Sequence, residues 1–495
     1  ILGDDGFLPD FQTLIKDNTI TVGLRGQKGQ WFLDLSSTFG VNKMDYTIGN
    51  TVNSSLGLSS PTSFRAGGYE FIQTVHNFDA SRQFKWLNVA IGAEFRSENF
   101  IAHAGEEGSF EGRGAESFPG IRPQDEVDAQ RFNVSFYTEL EKSFEEKLLI
   151  NLAGRYEDYT DFGRKLNGKL SARYKIIEEL LNLRGSISTG FRAPSLHQTH
   201  FSSVQTILVG SELSQQGTFN NESPVIKALG VPDLKEETSE NFSLGLTLTP
   251  TSNIFITTDF YKVNVNDRIV FTGTLRNDDP NTVVGGILES FDIEGMKFFT
   301  NAIDTETLGF DFVMGYDNID LGLGRAKVTL AHNYNKTNVT SEIRTPDILS
   351  NQGNALFNRK EQSRVETARP LNKTILKLSY QVRDWSIDLN NTRFGQVTWK
   401  HADNGLNDIL NMTDPEFDQT FSGKIITDLD VSYHLSAAIN LSVGANNLFD
   451  VYPDEIDPKG DLITNLIGRF RYPWEVNQFG FRGRFYYFKL KVNLL

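Results

Sequence analysis

Between Leu429 and Leu435 the residues Leu429, Val431, Tyr433 and Leu435 are apolar, and Asp430, Ser432 and His434 between them are polar. A period of two puts the two sets on opposite faces of a β-strand. The same alternation sets Tyr486, Phe488, Leu490, Val492 and Leu494 against Tyr487, Lys489, Lys491 and Asn493, and Leu166, Gly168, Leu170, Ala172 and Tyr174 against Asn167, Lys169, Ser171, Arg173 and Lys175. Helical spacing is nearly absent. About 17 such segments lie near 19–25, 31–52, 68–84, 86–104, 129–142, 147–158, 165–175, 181–191, 238–249, 253–266, 308–317, 325–335, 374–383, 385–396, 426–436, 438–447 and 483–494. Most are about 10 residues or longer, the length a tilted strand needs to cross a bilayer and more than a soluble sheet uses.

The connections sort into two kinds. Short turns such as Phe84-Lys85-Trp86, Pro250-Thr251-Ser252 and Ser436-Ala437 alternate with stretches near 105–128, 192–237, 267–307, 336–373, 397–425 and 448–482. Membrane-length strands with one smooth and one ragged end predict an all-β fold, a transmembrane antiparallel β-barrel with about 17 strands in this chain. In hydrocarbon an unpaired backbone N–H or C=O costs several kcal/mol, so a strand can span only within an edgeless wall. The 38 Phe, 15 Tyr and 5 Trp supply interfacial girdles, with Trp31, Trp86, Trp385, Tyr433 and Phe485 at strand ends. A soluble sandwich would bury Lys489, Lys491, Arg173 and Arg184 between sheets; a wide barrel leaves them in a wet lumen.

Composition excludes other classes. The net charge of −15 argues against a nucleic-acid partner. No run of apolar residues is long enough for a membrane helix. With no Cys and 7 His, thiolate metal sites and cysteine nucleophiles are absent, and no cofactor is expected. Residues 163–169 match the start of a P-loop, but Leu170 stands where Ser or Thr must hold Mg²⁺, and the segment alternates like a strand. No H-E-x-x-H or G-x-S-x-G motif occurs, so no enzyme is expected.

Candidate ligand-binding residues fall in the ragged loops. His197 and His200, three apart, have a spacing that can ligate iron or haem, although loop histidines commonly stay solvated. Phe298, Phe299, Phe357, Arg359, Phe417, Phe421, Phe470, Arg471 and Trp474 are the aromatic and basic types that capture a planar or anionic ligand; the competing role is loop-to-loop packing.

Several motifs carry a family resemblance. The segment Ser188-Thr189-Gly190-Phe191-Arg192-Ala193-Pro194-Ser195-Leu196, the run Leu234-Lys235-Glu236-Glu237-Thr238-Ser239-Glu240-Asn241 and the group Asn446-Asn447-Leu448-Phe449-Asp450 with Tyr452-Pro453 resemble motifs of TonB-dependent outer-membrane receptors. Glu236 stands where that family usually has proline. The tail from Tyr472-Pro473-Trp474 through Phe479-Gly480-Phe481 to Tyr487 resembles Bacteroidetes-type members.

The resemblance implies a barrel of about 22 strands occluded by an N-terminal plug that carries a TonB box. Residues 1–495 are then expected to be the barrel domain, incomplete at its N-terminus and without the plug. It further implies active import of a scarce ligand across the outer membrane of a Gram-negative bacterium, energised through TonB. A ferric siderophore or other iron complex is the first candidate, ahead of haem, cobalamin and SusC-like oligosaccharide import. Arg192 is expected to face the lumen and pair with plug carboxylates. Outer-membrane lipid and lipopolysaccharide would surround the wall, and a surface lipoprotein is a further candidate partner. The alternative is a passive pore, or a scaffold or translocation barrel in a larger assembly.

Overall fold

The computed structural model describes residues 7–209, 212–402, 413–457, 471–473, 475–476 and 478–493. Every one of the expected segments forms a strand, and together they make one 17-stranded antiparallel sheet. Each strand pairs with the next wall strand along the chain, from Asp10–Lys28 at one edge to Phe485–Val492 at the other. Among the described residues these two edge strands have one partner each.

One end of the wall is smooth. Gly29-Gln30 and Arg383-Asp384 join strands in two residues, and both turns need a left-handed residue, Gly29 at φ 62° and Arg383 at φ 52°. The opposite end carries the long segments, including 193–236, 272–298, 340–371, 395–423 and 447–484. Strands reach 22 residues in Phe299–Asp320, well beyond bilayer thickness.

The register confirms the facing read from the alternation. Leu378, Leu389, Leu429, Ala445 and Tyr486 lie opposite one another across five strands as one row. Their neighbours Ser379, Asp388, Asp430, Gly444 and Tyr487 form the next row on the other face. The apolar face stays open, with Phe488 68% and Leu166 77% exposed, as a face that meets lipid must.

On the polar face a recurring joint ties three strands together. Tyr137 lies flat across Gly92 of the neighbouring strand and donates its hydroxyl to Asp79 of the strand beyond. Tyr487 crosses Gly444 to reach Asp430 at 2.7 Å in the same way. Tyr261 crosses Gly309 and accepts from Asn335 Nδ2 at 2.9 Å, and Arg184 crosses Gly245 to Asp259, with its Nε 2.9 Å from Oδ1. The glycine is required by space: a Cβ would come within 2.1 Å of the Tyr137 ring at Gly92 and within 2.3 Å of the Tyr487 ring at Gly444.

The largest apolar core among the described residues lies in the long loops. Ile226, Leu229, Leu288, Met296, Phe298, Leu349 and Leu356 are fully buried together, joining segments 193–236, 272–298 and 340–371. A four-stranded sheet of Leu275–Arg276, Ile293–Lys297, Glu212–Thr218 and Ser203–Val209 organises this cap. Its central pair, Glu212–Thr218 with Ile293–Lys297, is parallel, unlike every pair in the wall. The ragged end is thus a packed unit.

Candidate ligand-binding site in the outer cap

The motif residues act as posts for the loops. Arg192 and Glu237 lie opposite each other where segment 193–236 leaves and rejoins the wall, and Arg192 Nε and Nη2 hold the carboxylate at 2.8 and 2.7 Å. Glu237 is 7% exposed and also accepts the Ile269 N–H at 2.7 Å. Glu236 next to it pairs with Lys165. Arg131, 3% exposed, fixes the start of the loop by donating Nη2 to the Pro194 carbonyl at 2.9 Å. Arg192 thus has a carboxylate partner inside this chain, 45 residues downstream. In the third motif Asn447, at φ 49°, donates Nδ2 to Val451 O and accepts its N–H, which turns the chain sharply. Asp450 then accepts the Arg484 N–H at 2.8 Å, just before the last strand.

Between the cap sheet and segments 351–361 and 399–402 lies a cavity of about 1050 Å³. Helix Arg359–Glu366 forms one wall, its first turn fixed by Asn358, whose side chain accepts the Glu361 N–H at 3.0 Å. Arg359 points at the cavity but is held by Asp418 through two 2.7 Å bonds and by the His401 carbonyl at 2.8 Å. The Asp418 bonds raise its pKa further above the usual arginine value. Lys360 lies 2.9 Å from Glu475, and Arg364 bridges Glu361 and Glu475 at 3.0 Å each. Trp399 Nε1 donates to Glu475 at 2.6 Å.

Burial opposes ionisation of Glu475, but Lys360, Trp399 and Arg364 prevail and hold it below the usual carboxylate value. Glu361 goes the other way, pushed up by burial despite Arg364 and Lys297. The Glu475 shift fixes a pH dependence. Its contribution to cap stability is complete above the ordinary glutamate value of about 4.3 and is lost as pH falls through the lower folded value. Protection of the amides along 359–366, taken relative to their intrinsic exchange rates, should therefore stay high at neutral pH and fall only in acid, and Glu475→Gln should lower it at both.

The structure distributes the sequence-read residues among several roles. Phe298, Phe357, Phe417 and Phe421 are 0%, 4%, 3% and 2% exposed, so these four rings pack the cap and line no open surface. A sequence cannot separate the two roles, because both call for an aromatic in a loop. Phe299 packs on Phe271 at 5.0 Å. Arg471 pairs with Glu455 at 2.8 Å beside the Tyr472 ring. Phe470 and Trp474 lie outside the described residues. His197 and His200 share the short helix Leu196–His200 but serve apart. The His197 ring is 4.2 Å from Phe100 and 5.5 Å from Phe71, and burial lowers its pKa. His200 Nδ1 is 3.1 Å from Glu222. Among the described residues no group of three or more His, Asp or Glu side chains is placed to hold a metal ion.

Lys297, Trp399 and His401 border the cavity and were not singled out by the sequence. A weak signal existed for Lys297, which directly precedes Phe298-Phe299. A second hollow, of about 790 Å³, opens on the apolar outer face among Leu170, Ile187, Phe242 and Phe310, where it offers nothing to a polar ligand.

Known structures of the same architecture align over nearly the whole chain. The siderophore receptor PirA of Acinetobacter baumannii superposes with a TM-score of 0.63 at 15% identity, covering 97% of this chain and 62% of that one. The ferric enterobactin receptor PfeA of Pseudomonas aeruginosa gives 0.62 at 14%, with the same 97% and 62% coverage. The FrpB iron transporter of Neisseria meningitidis gives 0.61 at 12%, covering 96% and 63%. The chain thus spans less than two thirds of the length of these proteins, and at such identities the likeness establishes the fold. No curated protein sequence matches the chain. The family described as "TonB dependent receptor-like, beta-barrel" matches residues 2–448. With its 17-stranded wall, its loop posts and this match over most of its length, the chain belongs to the TonB-dependent receptor family of Gram-negative outer-membrane proteins.

Proposed function

We propose that the chain is the wall and outer cap of a receptor that imports an iron complex, a ferric siderophore before haem or cobalamin, with energy delivered through TonB. The observation that carries this reading is the packed cap with its cavity of about 1050 Å³, bordered by Lys297, Arg359, Lys360 and Trp399. That volume is at the upper end of small-molecule sites, large enough for a metal chelate. Cations beside an aromatic ring suit a ligand that is both anionic and planar in part. The structural neighbours, named as siderophore and ferric enterobactin receptors, support the same class of cargo. In this reading a plug outside residues 1–495 carries the TonB box, and ligand captured in the cap is passed to it.

A bacterium whose only copy of this gene is deleted should grow poorly when iron is chelated from the medium. Restoring the gene should restore growth with the right ferric siderophore as sole iron source. Equal growth of the deleted strain on every iron complex offered would count against the reading.

A further inference from the structure

Lys297 ends the cap strand Ile293–Lys297 and borders two cavities, the one of about 1050 Å³ and a neighbouring one of about 300 Å³ beside Phe118 and Gln216. It is fixed there by its backbone, whose carbonyl accepts the Phe219 N–H at 2.9 Å, and by Met296 and Phe298, both fully buried. The ammonium lies 5.5 Å from the centre of the Phe271 ring.

Its electrostatic position differs from that of the other cations around the cavity. Arg359 is neutralised by Asp418 and Lys360 by Glu475. Arg276 is exposed, where water solvates it. Among the described residues no carboxylate lies within 4.0 Å of the Lys297 ammonium, although the side chain is half-buried. Burial accordingly lowers its pKa, and Lys360 and Arg364 push in the same direction against Glu361 and Glu475. A half-buried cation with no carboxylate in contact is further stabilised by an anion that enters beside it.

We propose that Lys297 is the anion-binding, specificity-determining residue of the cap, selecting anionic metal complexes over uncharged complexes of similar size. This rests on the iron-complex reading above and adds the charge of the cargo and the residue that reads it. Lys297 lines both cavities, so an anion bound beside its side chain lies at the border they share. Phe271 covers one side of the ammonium and leaves its hydrogens for the ligand.

The test uses the intact receptor in detergent and two probes, an anionic ferric tris-catecholate and an uncharged ferric tris-hydroxamate, titrated calorimetrically. Lys297→Met keeps the stem and removes the charge; Lys297→Arg keeps the charge. Lys297→Met should weaken the catecholate complex about ten- to hundredfold, the range of a hydrogen bond to a charged group. It should leave hydroxamate affinity unchanged, and Lys297→Arg should restore most of the catecholate binding. Heat-modifiable migration of each variant checks that it is folded. A catecholate affinity equal in wild type and Lys297→Met, or both probes weakened alike, would overturn the role of Lys297 while leaving the iron-complex reading standing. Wild-type protein that binds neither complex would overturn that reading, and the role of Lys297 with it.

Discussion

Replacing Gly92 by valine should destabilise the barrel by about 3–5 kcal/mol, the sum of overpacking and a lost hydrogen bond to a charged acceptor. The Tyr137 ring occupies the space a Cβ would take, with a carbon 2.1 Å from it, and Asp79 Oδ1 is 2.7 Å away on the other side. The ring must leave the wall, and its bond to Asp79 goes with it. The double variant Gly92→Val with Tyr137→Ala removes the obstacle and should be less destabilised than Gly92→Val alone. Urea unfolding of the refolded barrel in detergent, followed by heat-modifiable migration, measures both. A Gly92→Val barrel as stable as wild type would mean that the ring does not lie across the glycine.

The second large effect concerns facing. Leu389 and Asn390 are neighbours at the middle of the strand Trp385–Phe394, and their side chains lie on opposite faces. Leu389 belongs to the apolar row with Leu378 and Leu429; Asn390 faces Asp428, its Nδ2 3.3 Å from a carboxylate oxygen. Leu389→Arg places a charge in hydrocarbon near the midplane and should cost about 2–4 kcal/mol. Asn390→Arg places the same charge beside Asp428 and Asp388 and should cost under about 1 kcal/mol. Comparable losses at the two sites in lipid vesicles would contradict the assigned faces.

The wall was legible in the sequence because its information is local. A period of two needs only adjacent residues, and the sheet is a meander in which each strand pairs with the next, so order along the chain is order in space. The limits of individual strands were less clear. The first begins at Asp10, not near 19, because Lys16, Asp17 and Asn18 interrupt the apolar pattern. The cap was illegible for the opposite reason. Gln215 pairs in parallel with Ile293 across 78 residues, and Glu475 meets Lys360 and Arg364 from more than a hundred residues away. Nothing near either residue announces such a partner.

The candidate site inherits this limit. Arg359 was legible as a loop cation, but its neutralisation by Asp418 was not. The aromatic residues drew attention for their chemistry, while the fold uses Phe298 and Phe357 to build the frame that holds the cavity open. The motif residues were legible as a group. Their physical role, an Arg192–Glu237 clasp at the base of a loop and an Asn447 turn before the last strand, required the coordinates.

On the proposed function, this receptor moves an iron complex inward with energy from the inner membrane. Uptake of a radiolabelled ferric siderophore by iron-starved cells, with and without an uncoupler and in a strain lacking TonB, tests it most directly. Accumulation against the gradient should require the receptor gene and stop in both the uncoupled and the TonB-deficient cells. Receptor-dependent entry that continues unchanged in both would contradict it and identify a passive pore.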